Sequence, residues 1–496
     1  MKIEKILIKY FDWTEQEILD KAKKLDFIFS ELSEDAVFEL MQFFCSEFQL
    51  SEDEFKKILK KMPTLLNFTI EGIKKKEQFY ESVYSMKREQ INKMVKLFPA
   101  ILGASTQSVL DKENFYKSEF RVTHDDFCKM IKGFPVLLGL STDSLQEKAK
   151  FYEDTFGITS TEFGRMIKVF PSFQGLSTDS VQEKVKFYED TFGITRTEYG
   201  RMMKVHPAFQ GLSTDSVQEK AKFYEDTFGI TRTEFGKMIK KFPMLIGLST
   251  DSAQEKAKFY EDTFGITSME FGRMMKVHPA SQCLSADKVQ EKARFYEDTF
   301  GITRTEFGRM LKVHPALLSP ATDSVQEKAK FYESTFGITR TEFGEMIKKS
   351  PTLLGLSIDS VQEKVRQIKD IKIPSQVIVQ NPSILTVPKN TLKLRYIILR
   401  NIATREEIFS YHNWYMISQD KTYARACYLS ETGKKFNWKT VLYSEKVFGK
   451  MCGVSSDELM AKYRLTPGKI EKLKSVLEKD EIVDFNDDEK GGIEEK

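Results

Sequence analysis

Apolar residues recur at helical spacing in short segments along the chain. In the stretch that starts at Gly139, the residues Leu145, Ala149, Tyr152 and Phe156 fall at positions i, i+4, i+7 and i+11. This spacing places all four on one face of a helix and leaves the other face polar. The pattern therefore predicts an amphipathic helix.

A second helix is predicted directly after the first. Phe163, Met166, Ile167 and Phe170 follow at positions i, i+3, i+4 and i+7, which again form one apolar face. Pro171 disfavours helical geometry at the residue before it, so this helix should end near Phe170. The segment after the proline is too short for a full α-helix, and we expect a 3-10 turn there.

Turn and capping residues separate the two helices. Ser141 and the polar residues after it are N-cap candidates for the first helix. Gly157 stands where a left-handed residue would close that helix. Thr159 and Glu162 have the Thr-x-x-Glu spacing of a capping box, which would begin the second helix.

This two-helix unit repeats along the chain. The copies between Pro135 and Pro351 are nearly identical and the outer copies diverge, with Phe27 in the proline position of an N-terminal copy and a shortened copy at residues 381–385. Divergent end copies are expected, because the ends of a repeat array face water. The prolines recur at intervals of 36 residues, at Pro63, Pro99, Pro135, Pro171, Pro207, Pro243, Pro279, Pro315 and Pro351.

A single unit cannot bury its apolar face, whereas stacked copies can. We therefore predict an all-α fold, a superhelical solenoid of about ten 36-residue two-helix repeats with tight proline turns. The predicted segments are an N-terminal capping repeat over residues 1–62, the repeat array over 63–367, a degenerate repeat with a helical cap over 368–478, and an acidic disordered tail over 479–496.

Composition excludes several classes of protein. The 496 residues carry a net charge of only +3, so overall charge does not indicate a nucleic-acid partner. No apolar run approaches the roughly 18 residues that a membrane-spanning helix needs. The five cysteines have wide spacings and no CxxC, which predicts free thiols in the cytoplasm or another reducing compartment. The first residues resemble neither a secretory signal nor an Arg-rich mitochondrial presequence.

No catalytic or metal site is predicted. The sequence has no phosphate loop, catalytic triad or metal-binding motif, and the histidines cannot be grouped with cysteines at ligand spacing. Carboxylate pairs such as Glu153 and Asp154 repeat in many copies, whereas an enzyme needs a single active site. We expect a protein that is not an enzyme and that holds no cofactor.

The period and the residues around the proline resemble the mitochondrial transcription termination factor (mTERF) family. The family repeat runs from a Pro-x-Leu-Leu-x-x-Ser phrase through a helix, a glycine turn and a second helix to the next proline. Here Pro135 begins the phrase PVLLGLS, residues 156–159 read FGIT, and residues 392–396 read LKLRY, which resembles the Leu-x-x-Arg-Tyr element of the last family repeats. The resemblance covers roughly residues 27–430.

The resemblance implies a modular helical solenoid that acts on nucleic acid. Characterised members of the family bind double-stranded DNA, and others act on organellar RNA or on ribosomes. The choice between DNA and RNA stays open on these grounds. A mitochondrial location is implied by the resemblance alone, since no presequence is visible.

Charge is balanced within a repeat but segregated between its helices. Within residues 177–207, the first helix with its cap carries a net charge of −2, and the second helix with its turn carries +2. Stacking would align these charges into one acidic and one basic face. On the basic face, we predict phosphate contacts from Arg165, Lys168, Arg196, Arg201, Lys204, Arg232, Lys237, Lys240, Arg273, Lys276, Arg304, Arg309, Lys312, Arg340 and Arg395. The alternative is an ordinary solvated face, on which these side chains pair with Glu and Asp of the adjoining repeat.

Two further sets of residues each allow two interpretations. One set consists of glycines that precede the basic residues and either admit a phosphate backbone or let helices pack closely: Gly164, Gly200, Gly236, Gly272 and Gly308. The other set flanks the proline and either reads bases or reflects drift at partly buried turn positions, and drift is the favoured interpretation. Its members are His206, His278, His314, Gln174, Gln210 and Gln282.

We predict a monomeric protein that binds double-stranded nucleic acid, DNA in preference to RNA, along a basic concave face formed by the second helices. Regulation of transcription is one outcome of such binding. Two alternatives remain, namely binding of RNA or the ribosome, and a helical scaffold that binds other proteins. A scaffold should expose an apolar or aromatic groove instead of a basic stripe. No membrane partner is expected.

Overall fold

The fold is all-α in a computed structural model that describes residues 3–25, 33–368, 371–411, 414–432 and 437–479. Within these residues the chain forms 28 α-helices and no strand. None of these helices is long and apolar enough to cross a membrane. Phe27 and the predicted acidic tail beyond residue 479 lie outside the described residues.

The chain divides into two compact units, residues 1–250 and 251–496. In the first unit, a 3-10 turn follows each second helix, at Pro63–Asn67, Pro99–Leu102, Pro135–Gly139, Pro171–Gly175, Pro207–Gly211 and Pro243–Gly247. The helices of this unit are α1 (Ile3–Phe11), α2 (Glu15–Leu25), α3 (Glu34–Glu47), α4 (Glu52–Lys61), α5 (Ile70–Tyr84), α6 (Arg88–Leu97), α7 (Thr106–Phe120), α8 (His124–Gly133), α9 (Thr142–Phe156), α10 (Ser160–Val169), α11 (Thr178–Phe192), α12 (Arg196–Val205), α13 (Thr214–Phe228) and α14 (Arg232–Lys241).

The second unit continues the same alternation and then departs from it. Its 3-10 turns lie at Pro279–Cys283, Pro315–Leu318, Pro351–Gly355, Pro382–Thr386 and Trp438–Leu442. Its helices are α15 (Thr250–Phe264), which begins at the last residue of the first unit, α16 (Ser268–Val277), α17 (Ala286–Phe300), α18 (Arg304–Val313), α19 (Thr322–Phe336), α20 (Arg340–Lys349), α21 (Ile358–Ile368), α22 (Ser375–Gln380), α23 (Lys389–Arg400), α24 (Arg405–Ser410), α25 (Gln419–Thr432), α26 (Glu445–Cys452), α27 (Ser456–Lys462) and α28 (Pro467–Lys479).

The predicted caps and turns define the helix boundaries. The Ser141 side chain accepts a hydrogen bond from the Ser144 backbone N–H and begins α9. Gly157 closes α9 with a φ of +62°, the left-handed conformation that glycine adopts without strain. Thr159 and Glu162 form the capping box at the start of α10, and this helix ends before the proline turn. The predictions for this repeat are confirmed.

The predicted apolar faces form a core that continues from one repeat to the next. Tyr152 of α9 packs against Phe163 of α10, with ring centroids 5.4 Å apart, and against Phe173 of the following turn, at 4.9 Å. Phe156 of α9 also contacts Tyr199 of α12, at 6.3 Å, in the next repeat. A first helix therefore packs against the second helix of its own repeat and of the following one.

A lysine of each first helix from α5 to α21 also binds the next repeat. Lys148 of α9 donates from its ammonium group to the backbone carbonyls of Gln174 and Leu176, each at 2.5 Å. In the second unit, Lys292 donates to the carbonyls of Leu318, at 2.8 Å, and Pro320, at 2.5 Å. Carbonyls at the end of a short turn have no helical partner, so the lysine satisfies groups that would otherwise be unpaired.

The same contact recurs in both units, and we call its lysines the clamp lysines. Burial lowers the pKa of Lys148 and its equivalents, and it lowers the pKa of Lys364 to about 8. No ion pair compensates for this burial within the described residues, so the clamp is formed by hydrogen bonds from a desolvated cation. The clamp lysines are Lys76, Lys112, Lys148, Lys184, Lys220, Lys256, Lys292, Lys328 and Lys364.

Replacement of Lys148 by methionine should lower the free energy of unfolding by about 1–3 kcal/mol, because the carbonyls of Gln174 and Leu176 would lose their donor. Urea denaturation followed by circular dichroism measures this change. Lys150→Met is the matched control, since Lys150 is exposed on the same helix and makes no hydrogen bond or ion pair with a described residue. It should change stability by less than about 0.5 kcal/mol. Equal losses in the two variants would contradict a structural role of the clamp.

Candidate nucleic-acid interface

The predicted basic residues occupy three positions on each second helix. The initial arginines begin the helix, as Arg196, Arg232, Arg304 and Arg340 do. The central cations directly follow the predicted glycine, as Arg165, Arg201, Lys237, Arg273 and Arg309 do. The terminal lysines stand three residues further on, at Lys168, Lys204, Lys240, Lys276, Lys312 and Lys348. The structure gives these three sets different surroundings.

Five of the terminal lysines form ion pairs with the preceding repeat, namely Lys168, Lys204, Lys240, Lys312 and Lys348. Lys204 lies 2.8 Å from Glu162, the glutamate of the preceding capping box, and it also donates to the Gly157 carbonyl at 2.9 Å. Lys240 repeats the contact with Glu198 at 2.8 Å. Further pairs join Lys312 to Glu270 at 2.8 Å, Lys348 to Glu306 at 3.0 Å and Lys168 to Asp126 at 3.2 Å. For this position, the alternative of pairing between adjoining repeats describes the structure.

These ion pairs change the ionisation of the capping glutamates. The hydrogen bond from Lys204 and that from the Thr159 backbone N–H lower the pKa of Glu162. Lys240 and the Thr195 backbone N–H lower the pKa of Glu198 in the same way. The carboxylate therefore caps its own helix and binds the following repeat with the same negative charge.

Three of the four initial arginines approach a glutamate of the first helix in their own repeat, and Arg196 has no such contact with a described residue. Arg304 lies 3.8 Å from Glu297, and Arg232 lies 4.0 Å from Glu225. Arg340 donates to Glu333. About half of the Arg304 side chain is exposed, and exposed pairs of this kind contribute only about 0–1 kcal/mol. These arginines can therefore exchange partners at low cost.

The central cations are exposed and form no hydrogen bond or ion pair with any described residue. The same position holds a lysine in three earlier copies. These three lysines were not predicted, because the earlier copies diverge from the others. They precede Arg165 at successive intervals of 36 residues, and this spacing could have identified them from the sequence. The first unit carries Lys57, Lys93, Lys129, Arg165, Arg201 and Lys237, and the second carries Arg273 and Arg309. Glu345 takes the position in the next copy and pairs with Lys348.

Neighbouring second helices pack side by side within each unit. In the first unit, α6, α8, α10, α12 and α14 contact one another in order, and the Lys96–Glu54 ion pair joins α4 to α6. In the second unit, α16, α18 and α20 do the same. Since packed helices lie about 8–10 Å apart, equivalent positions on them form a row with that spacing. Each unit thus carries a row of unpaired positive charges.

The recurring glycines serve helix packing. A Cβ atom on Gly236 would lie 2.6 Å from the backbone oxygen of Phe192, and one on Gly308 would lie 2.5 Å from that of Phe264. Both contacts are with the end of the first helix in the preceding repeat. The glycines are buried there and do not face an open surface, so the interpretation that they admit a phosphate backbone is wrong.

The residues around the proline also face the protein. Gln174, Gln210 and Gln282 are buried, and Gln210 donates to the Tyr199 hydroxyl at 2.7 Å. The half-buried ring of His206 packs near Gly247 of the next turn, and burial lowers its pKa. His278 contacts the Ser319 hydroxyl at 3.0 Å. These contacts support the interpretation of partly buried turn positions and give no base reader.

Arg395 differs from the other predicted residues. It lies in α23, where it donates to the backbone carbonyl of Tyr415, and burial lowers its pKa. Its guanidinium group therefore serves the interior of the C-terminal helices. It does not extend the row of central cations.

The prediction that no histidine can be grouped with a cysteine is wrong. His124 and Cys128 lie four residues apart on α8, and the Nε2 atom of His124 is 3.5 Å from the Cys128 sulfur. A histidine and a cysteine are therefore grouped, and their i, i+4 spacing was the signal. No group of three or more His, Cys, Asp or Glu side chains suited to a metal ion occurs in the part of the chain that the structure describes.

Comparison with known families agrees with this architecture. The profile of the mTERF family matches residues 16–155, 153–267 and 254–424. The chain belongs to the mTERF family. No curated protein matches it in sequence. The mTERF match spans all eight central cations, so the rows lie within the family repeats.

Exchange of Gly236 for alanine should lower the free energy of unfolding by about 1–3 kcal/mol, because the new methyl group would press on the Phe192 carbonyl. Gly133→Ala is the matched control, since no atom lies within 4 Å of a Cβ placed there. At that site alanine should raise stability by about 0.5–1 kcal/mol through the smaller entropy of the unfolded chain. Urea denaturation of both variants decides the matter, and a stable Gly236→Ala protein would refute the packing role.

The capping glutamates should make stability depend on acid pH. Their folded-state pKa values lie below the ordinary value of 4.5, so the stabilisation is present above that pH and is lost as pH falls through the folded-state values. Urea denaturation between about pH 3 and pH 6 should show this loss. Glutamine at Glu162, Glu198, Glu270 and Glu306 still caps a helix but cannot ionise. The fourfold variant should therefore lose less stability on acidification, and an unchanged pH dependence would exclude the ion pairs as its cause.

Proposed function

We propose that this mTERF protein binds double-stranded nucleic acid, DNA in preference to RNA, through the central cations. The observation that carries this proposal is the row of exposed lysines and arginines that have no partner in the described residues. Membership of the mTERF family supports the broader statement that the chain is a nucleic-acid-binding repeat protein. The concave shape of the basic face and a role in controlling transcription are parts of this proposal.

The chemistry of the row favours a polyanion of regular spacing. Duplex DNA carries one negative charge about every 1.7 Å along its axis, and cations that neutralise its phosphates release condensed counterions. The central cations have no ion pair to break, so their full charge is available to a phosphate. A terminal lysine would first have to leave its glutamate. The row supplies local positive charge although the net charge of the chain is only +3.

The proposed binding is tolerant of sequence. Contacts to phosphates position a protein on a duplex without reading its bases. Base-edge contacts need exposed polar side chains, and the variable glutamines Gln174, Gln210 and Gln282 are buried. The nearly identical copies also present the same central residue type again and again. We propose affinity for duplexes in general, with sequence preference set elsewhere.

The proposal also covers the cellular compartment, the oligomeric state and the absence of catalysis. All five cysteines are unpaired, which fits the cytoplasm or another reducing compartment. We propose that the chain acts as a monomer and without catalysis. Organellar location follows only from the family.

A protein-binding scaffold is the second candidate, and one observation favours it. One helical turn after several central cations stands an exposed apolar side chain, as at Val169, Val205, Val277 and Val313. Single exposed apolar residues are common on protein surfaces. Their regular recurrence beside the cations would suit an amphipathic acidic partner, and the binding experiment below separates the two functions.

Neutralising the row should weaken duplex binding and its salt dependence. We expect fluorescence anisotropy with a random-sequence DNA duplex to show log K falling steeply with log salt concentration. Glutamine at Lys129, Arg165, Arg201 and Lys237 should reduce that slope by about 0.9 for each phosphate that the variant no longer neutralises. A parallel titration with an RNA duplex tests the preference for DNA.

The matched control removes the same number of charges from terminal lysines, with glutamine at Lys168, Lys204, Lys240 and Lys312. Because these lysines are paired within the protein, the slope should stay close to that of the unmodified chain. Equal effects of the two variants would assign binding to overall charge. Failure to bind either duplex at low salt would reject the proposed function and leave the scaffold.

A further inference from the structure

Four side chains that break the repeat pattern meet at one place in the first unit. Tyr84 stands where later copies have phenylalanine, Glu113 where they have alanine or valine, His124 where they have serine or arginine, and Cys128 where they have glycine. The positions belong to α5, α7 and α8. Residues that differ from the later copies at four separate positions of the repeat therefore lie close together in the folded protein.

The four groups form a connected chain of contacts. The Tyr84 hydroxyl donates to Glu113 Oε2 at 2.9 Å, and Glu113 Oε1 lies 2.6 Å from His124 Nδ1. The other imidazole nitrogen, Nε2, faces the Cys128 sulfur at 3.5 Å. The His124 ring is stacked on Tyr84 with centroids 5.5 Å apart, which fixes its orientation. A carboxylate therefore orients an imidazole whose other nitrogen lies 3.5 Å from a thiol, the arrangement found for activated cysteines.

The charges around the thiol act in opposite directions. The hydrogen bond to Glu113 raises the pKa of His124, which favours the imidazolium near neutral pH. The pKa of the Cys128 thiol is raised overall: burial raises it most, Lys132 lowers it, and Glu113 and Asp125 raise it. A protonated His124 at 3.5 Å supplies the opposite charge that favours the thiolate. These are the ionisable groups that face Cys128 from α7 and α8, and Tyr84 faces it from α5.

We propose that Cys128 is a redox-modification site that reacts with hydroperoxides to form a sulfenic acid, with His124 as the proton donor and Glu113 and Tyr84 as its positioning residues. Cys128 is only 8 % exposed, so a small oxidant such as hydrogen peroxide suits the site better than a bulky disulfide. This inference does not depend on the proposed binding of nucleic acid.

The reaction balances with the groups present. The Cys128 thiolate attacks one peroxide oxygen, a sulfur–oxygen bond forms, and the oxygen–oxygen bond breaks. Sulfur is oxidised by two electrons, and the peroxide is reduced. The departing hydroxide takes the proton from His124 Nε2 and leaves as water, and solvent later returns a proton to the imidazole. The product is Cys128 sulfenic acid, which a thiol can reduce again.

The site also explains what oxidation would change. Cys128 occupies the position at which later copies place a glycine against the preceding first helix. An added oxygen would press on the end of α5 next to Tyr84. Oxidation would therefore loosen the packing between two neighbouring repeats, and reduction would restore it.

The test exposes the full reduced chain to hydrogen peroxide for fixed times, then unfolds it in denaturant that contains dimedone, which traps sulfenic acids, and measures the labelled cysteines by peptide mass spectrometry. At about pH 7, Cys128 should be labelled at least about tenfold faster than Cys283, since only Cys128 has an adjacent imidazole. Cys283 is exposed and serves as a comparison within the same molecule. Slower or equal labelling of Cys128 would overturn the proposal, and this comparison needs no variant to fold.

Variants then separate activation from mere position. His124→Gln, whose amide can still donate to Glu113, should slow labelling of Cys128 by about tenfold or more. It should also move the midpoint of the pH–rate profile upward, because the imidazolium that favours the thiolate is lost. Glu113→Gln should act in the same direction, and Cys283→Ser should leave labelling of Cys128 unchanged. An unaltered rate and pH profile in the His124→Gln protein would exclude the histidine and overturn the mechanism.

Discussion

The hydrogen bonds of the clamp lysines determine how one repeat meets the next. A 3-10 turn after each proline leaves carbonyls without helical partners, and the ammonium group of the preceding first helix satisfies them. The contact fixes the turn relative to the helix before it. The turn also fixes the end of the second helix and the start of the next first helix. A desolvated lysine is a costly way to make this connection, and the cost is offset because two backbone oxygens are paired at once.

The clamp fixes how neighbouring repeats are aligned, and this alignment gives the other cations of the repeat different surroundings. It brings Lys204, Lys240 and Lys312 within reach of the capping glutamate of the preceding copy, so these charges are used inside the protein. It brings Arg232 and Arg304 only into loose contact with the first helix of their own copy, whereas Arg340 donates to Glu333. The central cations project from the same helices with nothing opposite them. One basic helix face thus contains charges of three kinds, and the central cations are the kind that has no partner in any copy among the described residues.

Much of this fold could be predicted from local sequence, because local chemistry decides it. The apolar spacing, Gly157, the Thr159–Glu162 capping box and the proline turns each act within a few residues. Pairing of cations with carboxylates of the adjoining repeat could be stated as an alternative, but which positions make such contacts with a neighbouring repeat could not be predicted. Lys148 has the sequence context of a surface lysine, and Gly236 is as suited to a phosphate as to a carbonyl until the preceding Phe192 is placed beside it. Contacts between residues separated by 26 to 44 positions have no local signal.

The uniformity of the copies makes the exceptions informative. Residues that recur in every copy can only recognise something that itself recurs, and a phosphate backbone is such a partner. Residues that occur once can respond to a single chemical event. Tyr84, His124 and Cys128 each occur once in their column of the repeat, and Glu113 has a counterpart in Glu77 of the preceding copy, so each looks like ordinary drift when its column is considered alone. Drift in separate columns has no reason to converge on one set of hydrogen bonds, whereas selection for a reactive thiol would favour that convergence. The repeats therefore form a periodic surface of central cations and, near the N-terminal end, one site around Cys128 that the later copies lack.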